Sequence, residues 1–203
     1  MIIIIEGSQG SGKSHMVNLL KNRFKLNDDI LFYKYGHVNH MKDLEIEDIE
    51  PNESFHYFTI SNTLTILELH ETILKNKVIV FDRGIFSAYA WSIMRKRLNT
   101  YKLEKELSSL LDNSLYNDCH VIRIISEKKA IRAHSDIFDE FTNDSKENFT
   151  FNSIFEKNMK NIQNTIKNNS YTEVINKRDK ISEAITLEVF NKLVYRNNIN
   201  KLK

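Results

Sequence analysis

Cysteine occurs once in the 203 residues, as Cys119. A single thiol excludes an intrachain disulfide framework, and no Cys/His cluster has zinc spacing. Cys119 leads into an apolar run and reads as a small core residue. Proline also occurs once, at Pro51, and glycine five times, at Gly7, Gly10, Gly12, Gly36 and Gly84. With so little of either, no linker stands out, and the chain shows no internal repeat. No apolar stretch approaches the ~18 residues of a membrane span. Met1–Ile5 is apolar but too short for a signal peptide, so the cytoplasm is the expected location. Charge of one sign is lacking too: 29 basic and 27 acidic side chains leave a net +2. That balance reads as a mixed solvated surface, and the absence of a basic stripe counts against a nucleic-acid partner.

What is present suits one globular domain over residues 1–203, with 41% hydrophobic and 28% charged residues. Five apolar runs have strand length: Ile2–Ile5, Ile30–Tyr35, Val78–Phe81, His120–Ile125 and Tyr171–Ile175. Helical patterns lie between them, with Met16, Leu19, Leu20 and Phe24 in the first, and Ile181, Ala184, Ile185, Leu187 and Leu193 in the last. Alternating strands and helices predict an α/β fold: a five-stranded parallel sheet in a three-layer αβα sandwich. Ligands are then expected at the carboxyl ends of the strands.

Three of the five glycines fall within Gly7-Ser8-Gln9-Gly10-Ser11-Gly12-Lys13-Ser14. This is a full match to G-x-x-x-x-G-K-[ST], directly after a predicted strand and before a predicted helix. The pattern has a physical sense. Glycines let backbone N–H groups turn toward phosphates, and the helix start adds its positive dipole end. Lys13 reaches the β- and γ-phosphates of ATP, and Ser14 offers its hydroxyl to Mg²⁺. A second acidic element, Val78–Phe81 followed by Asp82-Arg83-Gly84, ends a buried-type strand in a carboxylate. Asp82 is the candidate to support the metal, and Arg83 aims a cation where transferring phosphate gathers negative charge.

These segments resemble the thymidylate kinase family of nucleotide kinases. Ile5 to Ser14 is similar to that family's E-G-x-x-G-x-G-K-[ST] opening, and Asp82-Arg83-Gly84-Ile85-Phe86-Ser87 to its D-R-[YFH]-x-x-S segment. Tyr57-Phe58-Thr59-Ile60-Ser61-Asn62 sits where the family has L-L-F-x-A-x-R. The resemblance implies that Phe58 stacks on the acceptor base, a role that an aromatic face suits. It implies a lid at about 134–150, which closes over the reaction. Gly10 stands where some members carry a catalytic arginine, and members with a glycine there draw that arginine from the lid, which singles out Arg132. Asn176-Lys177-Arg178 falls at the family's adenine-contact loop, giving Asn176 and Lys177 to the nucleotide. The implied activity moves the γ-phosphate of ATP to a deoxynucleoside monophosphate, with dTMP first. Family habit adds a homodimer, and the broad apolar pattern Leu64, Ile66, Leu67, Leu69, Ile73 and Leu74 fits burial on two sides.

Some residues depart from the family. Asn62 stands in place of an arginine for the acceptor phosphate, Gln9 in place of a common acid, and Lys34-Tyr35-Gly36-His37 in place of an Arg-Glu-Pro turn. Arg83, Lys34 and His37 are the residues that could compensate by holding an acceptor phosphate. The alternative is a deoxynucleoside or other 5′-hydroxyl kinase, which needs a general base, with Glu6 or Asp82 as candidates. A further alternative is a GTP-binding switch, because Asn176-Lys177-Arg178-Asp179 matches N-K-x-D, although Asp82-Arg83-Gly84-Ile85 lacks the D-x-x-G spacing. His37, His40 and His56 read as loop or surface histidines, since no i, i+4 pair supports a metal site.

Overall fold

The amino-terminal run of isoleucines becomes the centre of a parallel sheet. In the computed structural model, which describes residues 1–34, 77–84, 86–87, 90, 119–126, 152–157, 159 and 171–200, β1 (Ile2–Glu6) is buried throughout. It is flanked by β3 (Val78–Asp82) and β4 (Cys119–Ser126), with β2 (Ile30–Lys34) and β5 (Tyr171–Asn176) at the edges. The order is β2-β3-β1-β4-β5, and every pairing is parallel. All five strands stand where the apolar runs predicted them, within a residue at each end. Burial follows position. The three inner strands are buried almost completely, whereas β5 alternates and exposes Ile175.

Alternate residues of the strands face opposite layers. Ile3, Ile5, Val78, Val80, Ile122, Ile124 and Val174 form one core cluster with Met16, Val17 and Leu20 of α1 (Lys13–Phe24) and Phe190 and Leu193 of α2 (Lys180–Asn200). Phe190 also stacks between Phe24 and Phe32, with ring centroids 5.1 and 6.4 Å away. On the other face, Glu6 bonds Ser87 and Arg123 pairs with Glu156. Helical residues 86–87 and 90 and the helical stretch 152–157 therefore form the opposite layer, with Phe86, Ala90, Phe155 and Met159 buried. The αβα sandwich is thus present.

One helical stripe differs from expectation. Ile181 and Ile185 of α2 are 69% and 42% exposed, and Ala184 is exposed too. The buried face instead runs Ser182, Thr186, Phe190, Leu193. The hydroxyls bear burial because each has a local acceptor: Ser182 Oγ donates to Asp179 Oδ1, and Thr186 Oγ1 donates to the Ser182 carbonyl. A count of apolar residues at helical spacing gives such polar positions no weight. Cys119 is buried, as expected.

Candidate functional site

The chain leaves β1 at the middle of the sheet, where the connections diverge to either side, and this is where an open α/β sheet forms its ligand crevice. Gly7 to Gly12 make the turn into α1. Gly10 and Gly12 take φ of +77° and +80°, which a side chain opposes. Gly7 is required for space instead: a Cβ there would lie 2.6 Å from Ser11 Oγ and 2.8 Å from the Ile124 carbonyl.

Each carbonyl from Gly7 to Gly12 has a donor. The Gly7 oxygen accepts from Arg83, Ser8 from the Ser11 N–H, Gln9 from Asn152 Nδ2, Gly10 from Arg178, Ser11 from Asn176 Nδ2, and Gly12 from the Met16 N–H. In a planar trans peptide the C=O and the following N–H point opposite ways. Holding the carbonyls therefore turns the amides of Ser8, Gly10, Gly12 and Lys13 away from those partners. The first turn of α1 has neither a side-chain cap nor an acidic residue. Ser11 Oγ is buried and has no hydrogen-bond partner among the described residues. An uncapped helix start beside turned amides fits an anion, and a phosphate would supply the missing acceptors.

Lys13 stands at that opening with its side chain 4% exposed, paired with the Asp82 carboxylate at the end of β3. Burial pushes the ammonium below its ordinary pKa, and the Arg83 charge adds to this, while Asp82 pulls the other way. Ser14, on the next helical position, is exposed. The loop residues Gly7 to Ser14, Asp82 and Arg83 are thus brought together as the sequence implied.

Glu6 is fully buried beneath them. Its Oε1 accepts from the Gly84 and Ser87 N–H groups at 2.9 and 3.2 Å, and its Oε2 from Ser87 Oγ at 2.6 Å. Burial raises its pKa, against the opposing effects of Ser87, Arg83 and Lys13. A carboxylate bonded at both oxygens ties β1 to the segment after β3. It holds the backbone on the far side of Arg83, at Gly84 and Ser87, and is closed to solvent. Gly84 is needed beside it, because a Cβ would lie 2.6 Å from Ile4 Cγ2. Arg83 itself has φ +70° and donates to the Gly7 carbonyl and to Ser87 Oγ at 3.2 and 3.0 Å.

The loop after β5 closes the other side. Asn176, 1% exposed, donates to the Ser11 carbonyl at 2.8 Å and accepts from the Arg178 N–H at 2.8 Å. The Lys177 side chain is exposed, while its N–H donates to Ser182 Oγ. Asp179 accepts from the Ser182 N–H at 2.7 Å, which caps α2, and these bonds with Ser182 lower its pKa. A cavity of about 330 Å³ lies here, lined by Gly12, His15, Met16, Asn176, Arg178, Asp179 and Glu183. It adjoins the phosphate loop and falls at the low end of the usual size of small-molecule sites.

Lys34 ends β2 in register with Asp82, so β2 delivers its backbone to the same sheet edge. Phe58, Asn62, Arg132, the lid segment 134–150, His37, His40, His56 and the apolar pattern from Leu64 to Leu74 lie outside the described residues. Sequence reasoning missed Asn152 and the loop-holding role of Arg178. It also missed the buried Arg123, which bonds Glu156, Glu173 and Tyr171. Nothing in the spacing marks Asn152, which lies 143 residues from the backbone it holds.

Compared with solved structures, the chain matches thymidylate kinase from Ehrlichia chaffeensis with a TM-score of 0.64 over 95% of this chain and 98% of that one. The chain has the thymidylate kinase fold. Sequence identity in that match is 15%. A deoxyadenosine kinase from M. mycoides, solved with bound dCTP, matches with a TM-score of 0.52 and 12% identity, over 95% of this chain and 98% of that one. No family model and no curated protein sequence matches this chain. Within the thymidylate kinase fold, the loop and its collar of donors stand at the strand ends where α/β ligands bind.

Proposed function

We propose that the chain is a cytoplasmic phosphotransferase that moves the γ-phosphate of ATP to a deoxynucleoside monophosphate, dTMP, giving the diphosphate. The observation that carries this reading is the loop from Gly7 to Ser14, with its carbonyls held outward and the buried, under-compensated Lys13 at its opening. The purine end of the donor fits the adjoining cavity at Asn176 to Asp179, and Lys177 borders it in sequence. Lys13 exchanges part of its contact with Asp82 for the β- and γ-phosphates. Arg83 and, on the resemblance, Arg132 offset the charge that builds on the transferring group. Ser14 and Asp82 are one hydroxyl and one carboxylate, which fits Mg²⁺, an ion that keeps most of its shell as water and phosphate. Bound there, Mg²⁺ supplies charge neutralisation between the phosphates.

The acceptor side rests on Phe58, Asn62, Lys34 and Arg83. A specific observation favours a monophosphate over a nucleoside. A hydroxyl acceptor needs a base, and Glu6 is bonded at both oxygens to Gly84 and Ser87. Asp82 in turn pairs with Lys13 and, with ATP bound, is the candidate carboxylate for Mg²⁺, so neither of these two is a free base. A phosphate acceptor is already anionic and needs little such help. The deoxynucleoside reading keeps one point in its favour, the absence of an arginine at Asn62.

The test is γ-labelled ATP offered to a panel of deoxynucleosides and their monophosphates, with GTP as a second donor. Label on dTDP supports the proposal. Label on thymidine, with none on any monophosphate, replaces it with the nucleoside kinase. No transfer to any member from a chain that binds ATP overturns both.

A further inference from the structure

The three loop glycines are not fixed in the same way. Gly7 is boxed by Ser11 and Ile124, and Gly12 abuts the Asn176 carboxamide, but among the described residues nothing lies within 4 Å of a Cβ placed on Gly10. With φ at +77° and no steric wall, the peptide ahead of Gly10 is the one that turns over at least cost. Hydrogen bonds alone hold it. Behind it, Arg178 reaches the Gly10 carbonyl at 3.3 Å from an exposed position. Ahead of it, the Asn152 carboxamide makes a closed pair with Gln9: the Gln9 N–H donates to Oδ1 at 2.6 Å, and Nδ2 donates to the Gln9 carbonyl at 3.0 Å. A carboxamide presents a donor and an acceptor in one plane, which matches the two backbone groups of a single residue.

Asn152 is itself well anchored. One helical turn on, Glu156 pairs with the buried Arg123 of β4, and between them Phe155 is 1% exposed. The apex of the loop is thus tied through residues 152–156 to the sheet.

We propose that Asn152 is a positioning residue for phosphoryl transfer. By holding the Gln9 carbonyl it sends the Gly10 N–H the opposite way, toward the phosphates, and it keeps that carbonyl from facing them. The inference rests on the loop being the nucleotide phosphate site.

Steady-state kinetics of Asn152→Ala, Asn152→Leu and Asn152→Gln test it. The Ala and Leu variants should lose about a hundredfold in kcat/KM for ATP, the usual scale when a reacting group is displaced by an ångström. KM for the acceptor should stay at its wild-type value, and Asn152→Gln, which keeps the carboxamide, should recover part of the loss. A second measurement serves if these variants fold poorly. The chain has five glycines, so selective ¹⁵N-glycine labelling gives a sparse spectrum in which the Gly10 signal is assigned by its loss in Gly10→Ala. Adding Mg·ADP to the wild type should move the Gly10 amide downfield. Wild-type kcat/KM in a folded Asn152→Ala, or a Gly10 signal that stays put in a wild type saturated with ADP, overturns the proposal. A wild type that binds no ADP at all instead overturns the phosphate-site reading on which it rests.

Discussion

Two cations are buried on either side of β1, and their surroundings treat them in opposite ways. The side chains of Lys13 and Arg123 are each 4% exposed. Lys13 pairs with one carboxylate, Asp82, and burial with the like charge of Arg83 lowers its pKa against the attraction of Asp82 and, more weakly, Glu6. Burial works against the Arg123 charge as well, but Tyr171, Glu156 and Glu173 outweigh it, and its pKa rises. Tyr171 in turn is pushed up by burial. The difference separates a cation short of negative partners, ready for an anionic ligand, from one already supplied and spent on structure.

Exchanging each cation for a neutral chain of similar reach should split activity from stability. Lys13→Met removes the charge that meets the transferring phosphate, and phosphoryl transfer should fall by about a thousandfold or more. Thermal unfolding should hold steady, because relief of a buried ammonium offsets the partner lost by Asp82, whose side chain is 15% exposed. Arg123→Met should do the reverse. Glu156 and Glu173 lose their shared partner, and the chain should lose about 2 kcal/mol by urea denaturation, below the usual buried-pair cost because both carboxylates reach solvent. Transfer should fall far less than in Lys13→Met. If Lys13→Met unfolds the chain while Arg123→Met leaves its stability intact, the assignment of roles is reversed.

This pair also marks what the sequence could and could not tell. The strands were legible because inner parallel strands are apolar on both faces, and the Ile2–Glu6 and Val78–Asp82 runs carry that signal locally. The loop was legible because its glycines and Lys13 must lie at fixed spacing. Asp82 and Ser87 were legible only as parts of a motif, whereas their partners Lys13 and Glu6 lie 69 and 81 residues away. Asn152, Arg123 and the buried Ser182–Thr186 face were hidden for one physical reason. Each polar group is made acceptable by a bond that folding supplies, and local composition records none of those bonds.

Glu6 sharpens the contrast through pH. Burial raises its pKa above the ordinary 4.5, so the folded chain holds this proton more tightly than the unfolded chain does. Stability from this group is present below 4.5 and is lost as pH rises through the folded value. Glu6→Gln, neutral at every pH, should lack that loss. Urea midpoints from acid to neutral pH should therefore shift toward the variant as pH rises. Arg123 has no counterpart in this range, because its guanidinium stays charged throughout. A difference between wild type and variant that is flat with pH would mean that Glu6 keeps its ordinary pKa in the folded chain.

The smallest effect is expected at Arg178, which shares its backbone state with Arg83. These are the non-glycine residues with positive φ among those described, at +61° and +70°, and both donate to a loop carbonyl. A left-handed arginine costs roughly 1 kcal/mol, an outlier of the kind that collects at functional sites. Arg178→Gly relieves that strain but adds freedom to the unfolded chain, and the two terms nearly cancel. Stability should therefore move by less than about 0.5 kcal/mol. The lost bond to the Gly10 carbonyl is exposed and 3.3 Å long, so ATP affinity should weaken only about fivefold, as for one ordinary hydrogen bond. Isothermal titration of both proteins with ATP measures it. Unchanged affinity would mean that the loop keeps its shape without this bond, held at Gln9 by Asn152, and a loss beyond a hundredfold would make Arg178 a direct nucleotide ligand.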